Sequence, residues 1–182
     1  MFRKTILATV FVCAPMPAFS EEMNEQKQFS LGIASFSTVI QADTYYGSED
    51  DDFSGFAIFG TGAVNDNVGF RFTYANQSHE EDSNLDLTVL EGSLIAGTGL
   101  ATTGFKAYGS VGIFSETLKY NGYSEEYDFT GLMLGGGIGY NWNPVSLEFW
   151  INFRDGSDYE DFGGGNVEVV AASGGLGLSA RF

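Results

Sequence analysis

The stretch VAASGGLGLSARF, Val170 to Phe182, ends the chain, and in an extended strand Val170, Leu176, Leu178, Ala180 and Phe182 all fall on one side. An apolar face that recurs with period 2 and stops on a terminal Phe is the ending expected of the last strand of a β-barrel closing within an outer membrane. Leu176, Leu178, Ala180 and Phe182 are then the candidate insertion signal that the barrel-assembly machinery reads.

The other end of the chain reads as an export leader. Arg3 and Lys4 precede an apolar run from Ile6 to Ala14, and Ala18-Phe19-Ser20 supplies small residues where a signal peptidase cuts, so cleavage is expected after Ser20. The run falls short of the roughly 20 residues a helix needs to span a bilayer. Cys13, the chain's one cysteine, follows the bulky Val12 and precedes Pro15 and Pro17, a context that does not suit lipidation. The expected organisation is a leader at 1–20, a short periplasmic segment at 21–28 and one barrel domain at 29–182.

Composition narrows the function classes. Eight Lys and Arg stand against 24 Asp and Glu, a net charge of −16, and loss of the leader removes two of the cations. Nucleic acid is excluded as a partner, because binding it depends on neutralising phosphates with Lys and Arg. The mature chain has no cysteine for disulfide or thiol chemistry. Glycine, at 25 residues, is about twice its usual share of ~7%, which tightly curved strands tolerate and helical bundles do not.

Val145 to Arg154 is the clearest strand: Val145, Leu147, Phe149, Ile151 and Phe153 alternate with Ser146, Glu148, Trp150, Asn152 and Arg154. Val68 to Asn76 repeats the pattern. With 29–40, 53–63, 85–97, 104–118, 128–141 and 167–182 this makes an all-β, eight-stranded antiparallel transmembrane barrel. In 85–97 the apolar residues change side between Val89 and Leu90, which predicts a bulge there. The connections alternate between short, as at Asn65-Asp66-Asn67, Gly99 to Thr103 and Asn141 to Pro144, and long, as at Gln41 to Asp52, Ser78 to Asn84, Lys119 to Tyr127 and Asp155 to Asn166. Short periplasmic turns and longer, acidic extracellular loops have that rhythm. A soluble β-sandwich shares the alternation. The leader, the terminal Phe, the loop rhythm and girdle aromatics such as Tyr45, Tyr46, Tyr140 and Trp142 favour the membrane.

The chain resembles the eight-stranded outer-membrane proteins of the OmpX/Ail type, akin in architecture to the OmpA barrel. The residues that carry this are Phe105-Lys106-Ala107-Tyr108-Gly109-Ser110-Val111-Gly112, Gly135-Gly136-Gly137-Ile138-Gly139-Tyr140 leading into Asn143-Pro144-Val145-Ser146-Leu147-Glu148-Phe149, and the close from Gly175 to Phe182. Ala180 stands where the family has an aromatic residue. The resemblance implies localisation in the cell outer membrane and a role in envelope integrity or cell-surface interaction.

Eight strands enclose a space that side chains fill. Arg71, Glu91, Lys106 and Glu148 all project inward at similar depth and are expected to form a structural salt-bridge cluster, since shielded charges need partners. A proton or ion path is the functional alternative. Outside, Asp50, Asp51, Asp52, Glu125, Glu126, Asp158, Glu160 and Asp161 form an acidic rim, a candidate surface for a partner or for Ca²⁺ or Mg²⁺ bridging the loops to lipopolysaccharide. Tyr120, Tyr123, Tyr127, Tyr159 and Phe162 lie among them and would suit an extracellular protein partner. No catalytic centre is expected: Ser78 and His79 point to opposite faces, and neither a His-x-Ser nor a Gly-x-Ser-x-Gly pattern is present. A small channel for small or apolar molecules is the other reading, with Met133 and Trp150 as inward candidates for a gate that two residues do not complete.

Overall fold

Each alternating segment becomes a strand with one apolar face outward. The computed structural model describes residues 26–44, 47–82, 84–121, 126–162 and 168–182. Its strands are β1 (Phe29–Thr44), β2 (Gly47–Ala63), β3 (Val68–His79), β4 (Leu85–Thr98), β5 (Gly104–Tyr120), β6 (Glu126–Asn141), β7 (Val145–Arg154) and β8 (Glu168–Arg181), with one short helix, α1 (Ser157–Phe162). Every neighbour is antiparallel and β8 returns to β1, so the sheet closes as β1-β2-β3-β4-β5-β6-β7-β8. At the seam Phe182 N donates to Phe29 O at 2.9 Å and Phe29 N donates to Phe182 O at 3.1 Å.

The outward face is a band of uncovered apolar side chains, among them Ile33, Phe56, Leu94, Ile113, Leu134, Phe153, Leu176 and Phe182. Soluble monomers rarely expose a contiguous apolar patch beyond a few hundred Å², whereas a bilayer requires one. Leu176, Leu178, Ala180 and Phe182 all face this band. The opposite face of β8 is small for a packing reason. A Cβ on Gly175 would lie 2.7 Å from Trp150 Cζ2, and one on Gly177 would collide with Phe59, so these glycines admit two large lumenal rings.

Side chains of the described residues fill the lumen from one end to the other. The β4–β5 turn tucks beneath the barrel and buries Leu100 and Ala101 against Ala63, Ile95 and Tyr108, a path that Gly99 permits with φ of +72°. Arg181 Nη2 donates to Ala101 O at 2.7 Å, and Asn141 Nδ2 to Gly99 O at 2.7 Å, which pins the tuck. Asp66, in the β2–β3 turn, accepts from the amides of Gly99, Ala101 and Thr102 at 3.1 to 3.2 Å and from Thr102 Oγ1 at 2.7 Å. Partial burial works against its charged form, and these hydrogen bonds outweigh that, holding the carboxyl below the usual carboxylate range. Higher up, Trp150 packs on Phe36 and Phe59, and near the outer end Phe114, Phe129, Met133 and Tyr159 form a second apolar plug.

Three expectations change. The β4 ladder runs without a slip from Leu85↔Tyr120 to Thr98↔Ala107, so no bulge sits at Val89 and Leu90. Leu85, Leu87 and Val89 instead face the lumen, where Leu87 and Val89 join the cluster of Phe36, Phe53 and Trp150, while Leu90 and Leu94 face lipid. The loop predicted at 41–52 is largely strand: β1 and β2 stay paired through Gln41↔Asp50 to Thr44↔Gly47. Tyr45 and Tyr46 lie outside the described residues.

The third change concerns the connection that follows β7. At ten residues β7 is much shorter than the 17 of β2. With about 3.3 Å per residue and a tilt near 40°, it covers only about 25 Å. Above Arg154, no strand among the described residues lies between β6 and β8, and α1 occupies the gap. Asp158 Oδ2 accepts from Thr130 N on the open edge of β6 at 2.8 Å, and Glu160 Oε1 accepts from Val169 N on β8 at 3.3 Å. The described part of the fourth connection, 155–162, is therefore a stopper and not a free loop.

Candidate functional site

The inward positions of β3, β4, β5, β7 and β8 bring charges into the lumen. Arg71, Lys106 and Glu148 meet: Glu148 Oε1 accepts from Arg71 and from the Tyr108 hydroxyl, and Glu148 Oε2 accepts from Lys106. The Arg71 guanidinium also lies 3.8 Å from the Trp150 ring centroid and 4.6 Å from that of Phe59, so its apolar faces are covered as well. Glu91, expected in the same cluster, sits in a second one. Its Oε1 accepts from Arg154 Nη2 at 2.9 Å and Ser173 Oγ at 2.6 Å, and its Oε2 from Asn152 Nδ2 at 3.2 Å. Arg154 also pairs with Glu116, whose other oxygen accepts from the Tyr159 hydroxyl of α1.

The division has a simple cause. Trp150 lies between Glu148 and Asn152 on the same face of β7 and puts a large ring between the two depths. One cluster holds two cations on one carboxylate and the other two carboxylates on one cation, so each imbalance offsets the other across the lumen. Glu116 and Arg154 were legible: Glu116 shares the inward phase of Lys106 on β5, and Arg154 that of Glu148 on β7. The sequence places Tyr159 among the rim aromatics. It is buried because it stacks on Phe129 at 4.7 Å between ring centroids, and on Phe114 at 6.3 Å.

Among the described residues, packed side chains occupy the lumen at each of these depths. The cavity at the periplasmic end, bordered by Lys106, Ser146, Glu148 and Arg181, holds about 10 Å³. That is about the room one water needs. Met133 and Trp150 point inward and are both fully packed.

The acidic rim is spread out. Asp50 and Asp52 lie on β2, Asp51 Oδ1 is 3.3 Å from His79 Nε2, Glu126 pairs with Lys119 at 2.8 Å, and Asp158 and Glu160 hold α1 to the strand edges. Glu125 lies outside the described residues, as does the side chain of Asp161. Among the described residues no three carboxylates, histidines or cysteines come together as metal ligands. Ser78 Oγ donates to Asp86 at 3.0 Å, while His79 Nδ1 accepts from the amides of Glu81 and Asp82 at 3.2 and 3.1 Å, so Ser78 and His79 do not form a nucleophile and base.

The outer membrane protein beta-barrel domain family, by its sequence model, matches residues 5–182. The chain belongs to that family. An outer membrane beta-barrel of this family lies in the cell outer membrane, where the uncovered apolar band meets lipid. No curated protein matches the chain by sequence. Among solved structures it is similar to Ail, the attachment invasion locus protein of Yersinia pestis, with a TM-score of 0.56 and 16% identity over 86% of this chain and 99% of that one. Neisserial surface protein A gives 0.54 and 16%, covering 85% and 97%. OprG from Pseudomonas aeruginosa gives 0.54 and 15%, covering 87% and 97%. At these identities the likeness is one of fold, and it agrees with the OmpX/Ail type of barrel.

Proposed function

We propose that this barrel is a non-conducting, non-enzymatic surface protein that supports envelope integrity and meets partners outside the cell. The observation that carries the reading is a lumen packed from end to end beneath hairpins that stand clear of the bilayer. The 17 residues of β2 reach about 43 Å at the same rise and tilt, against an apolar band of about 25 Å, which leaves about 18 Å for contact beyond the lipid. Tyr120 and Tyr127 on the β5–β6 hairpin, 39% and 42% exposed, put aromatic surface among the carboxylates.

The charge limits what the rim can hold. An Ail structure was solved in complex with the heparin analogue sucrose octasulfate. A chain with net charge −16 repels such a polyanion, so the partner this rim fits is cationic, or an anionic lipopolysaccharide reached through divalent ions. Planar bilayers test the first half of the reading: reconstituted protein should stay silent, and steady conductance that shifts in Glu148→Gln would favour a transporter instead. Adhesion of cells expressing the protein to cationic and to heparin-coated surfaces tests the second half. Attachment to cationic surfaces that weakens with salt supports it, and preferential attachment to heparin overturns it. Hydrolysis of lipid A that is lost in His79→Ala would overturn the non-enzymatic part.

A further inference from the structure

His79 ends β3 on its inward phase, shared with Ala75 and Gln77, so its ring lies over the outer end of the lumen. The ring meets Phe53 of β2 edge-on, with centroids 5.1 Å apart and planes at 76°. Two amides of the β3–β4 connection reach back to it: Glu81 N donates to Nδ1 at 3.2 Å and Asp82 N at 3.1 Å. A ring nitrogen that accepts from two N–H groups carries no proton of its own, which fixes the neutral tautomer with hydrogen on Nε2. Nε2 then donates to Asp51 Oδ1 at 3.3 Å. One imidazole thereby joins the outer part of β2 to the residues that follow β3.

A second proton on this ring changes the wiring at one atom. Nδ1–H would face two N–H donors, so both amide bonds must break or the ring must turn away. The backbone beside it stays anchored, because Glu80 N donates to Asp52 O at 2.9 Å. The groups around the ring are carboxylates: Asp51 and Asp52 on β2, and Glu80, Glu81 and Asp82 on the connection. On β4, Asp86 lies on the opposite face, where it accepts from Ser78. On β5, the Tyr120 hydroxyl reaches Asp82.

The Asn84 backbone amide, helped by the Asn84 side chain and Tyr120, holds the Asp82 carboxyl below the usual carboxylate range. Asp82 therefore stays charged where an imidazole titrates, between pH 5 and 8. His79 is the only histidine of the chain. We propose that it is a pH-operated tie on the second extracellular connection: the neutral ring holds the Glu81 and Asp82 amides down over the mouth of the barrel, and protonation releases them and pairs the ring with Asp51 and Asp82. The two states offer the acidic run from Glu80 to Asp82 to the outside in different arrangements. The tie is internal to the chain and does not depend on which partner the rim meets.

The test is NMR of the full chain in lipid nanodiscs, following the His79 ring protons and the Glu81 and Asp82 amides from pH 8 to pH 5. As the ring titrates, the protection of both amides, taken against the unstructured rate at each pH, should fall about tenfold with the same midpoint. His79→Gln supplies an acceptor oxygen that does not titrate and should show protection that stays level over the range. His79→Phe keeps an aromatic ring against Phe53 without any acceptor and should leave both amides open at every pH. The heat-dependent gel shift, retained in both variants, separates loss of the tie from loss of the barrel. Level protection while the wild-type ring titrates, or a ring that stays neutral down to pH 5, overturns the proposal. The same step in His79→Gln overturns it as well, since the switch would then lie among the carboxylates.

Discussion

Glu148 is held by Arg71, Lys106 and Tyr108 with almost no access to solvent, so removing its charge leaves two cations without a counter-ion. Glu148→Gln should lower stability by about 3–5 kcal/mol, seen as an earlier urea midpoint in detergent micelles. The triple change Arg71→Met, Lys106→Met and Glu148→Met should recover much of that loss, because a buried set replaced by apolar side chains carries no desolvation cost. An unchanged midpoint in the single variant would mean the cluster contributes nothing. Asp66 acts at the periplasmic end with the opposite exposure. Its folded carboxyl titrates below the unfolded one, so its stabilisation is present above the ordinary carboxylate pKa of about 4 and is lost as pH falls through the lower, folded value. Hydrogen exchange should show the Gly99, Ala101 and Thr102 amides protected at neutral pH and opening in acid, whereas Asp66→Ala should leave them open throughout. Period 2 makes Arg71, Glu91, Lys106 and Glu148 legible as inward charges, while Glu116 and Arg154, on the same inward faces, go unnamed in that reading. Period 2 does not give their grouping, because the depth at which Trp150 intervenes depends on how the strands are staggered.

Elements are legible where period 2 persists and obscured where two physical demands share one pattern. Alternation shows that a strand has two faces without saying which faces lipid, so Leu85, Leu87 and Val89 looked out of phase with Leu90 and Leu94 when both sets were simply apolar, one inside and one outside. The first hairpin was cut short for a related reason: Glu49 to Asp52 carry the charge of a loop, yet strand pairing above the membrane tolerates polar residues on both faces. A helix of six residues, α1, is too short to show a 3.6 period. Its role is nevertheless testable. Tyr159→Phe keeps the stacking on Phe129 and forfeits the hydrogen bond to Glu116, whereas Tyr159→Ala loses both. Proteolysis of intact protein in detergent should therefore find the segment around α1 cut readily in Tyr159→Ala and slowly in Tyr159→Phe. Equal resistance in both would show that Asp158 and Glu160 hold the stopper by themselves.

For the molecule as a whole, closure is the decisive event, and Phe182 takes part through both of its seam hydrogen bonds to Phe29. Deleting it should reduce the heat-dependent gel shift and the yield in outer membranes; full assembly without it would dissociate the C-terminal strand from recognition by the assembly machinery. The closed state also places the chain's two tryptophans in separate settings. Trp142 is half-buried beside Tyr140 at the periplasmic rim, their ring centroids 4.9 Å apart, where a single hairpin suffices to bring them together. Trp150 on β7 touches Phe36 of β1 and Phe59 of β2, partners that arrive only when the first and last strands have met. Fluorescence from Trp150 in a Trp142→Phe background is thus a clock for the joining of the barrel's two ends, and Trp142 in a Trp150→Phe background is a clock for arrival at the bilayer. The lag between the two signals would measure how long an open sheet survives in contact with lipid.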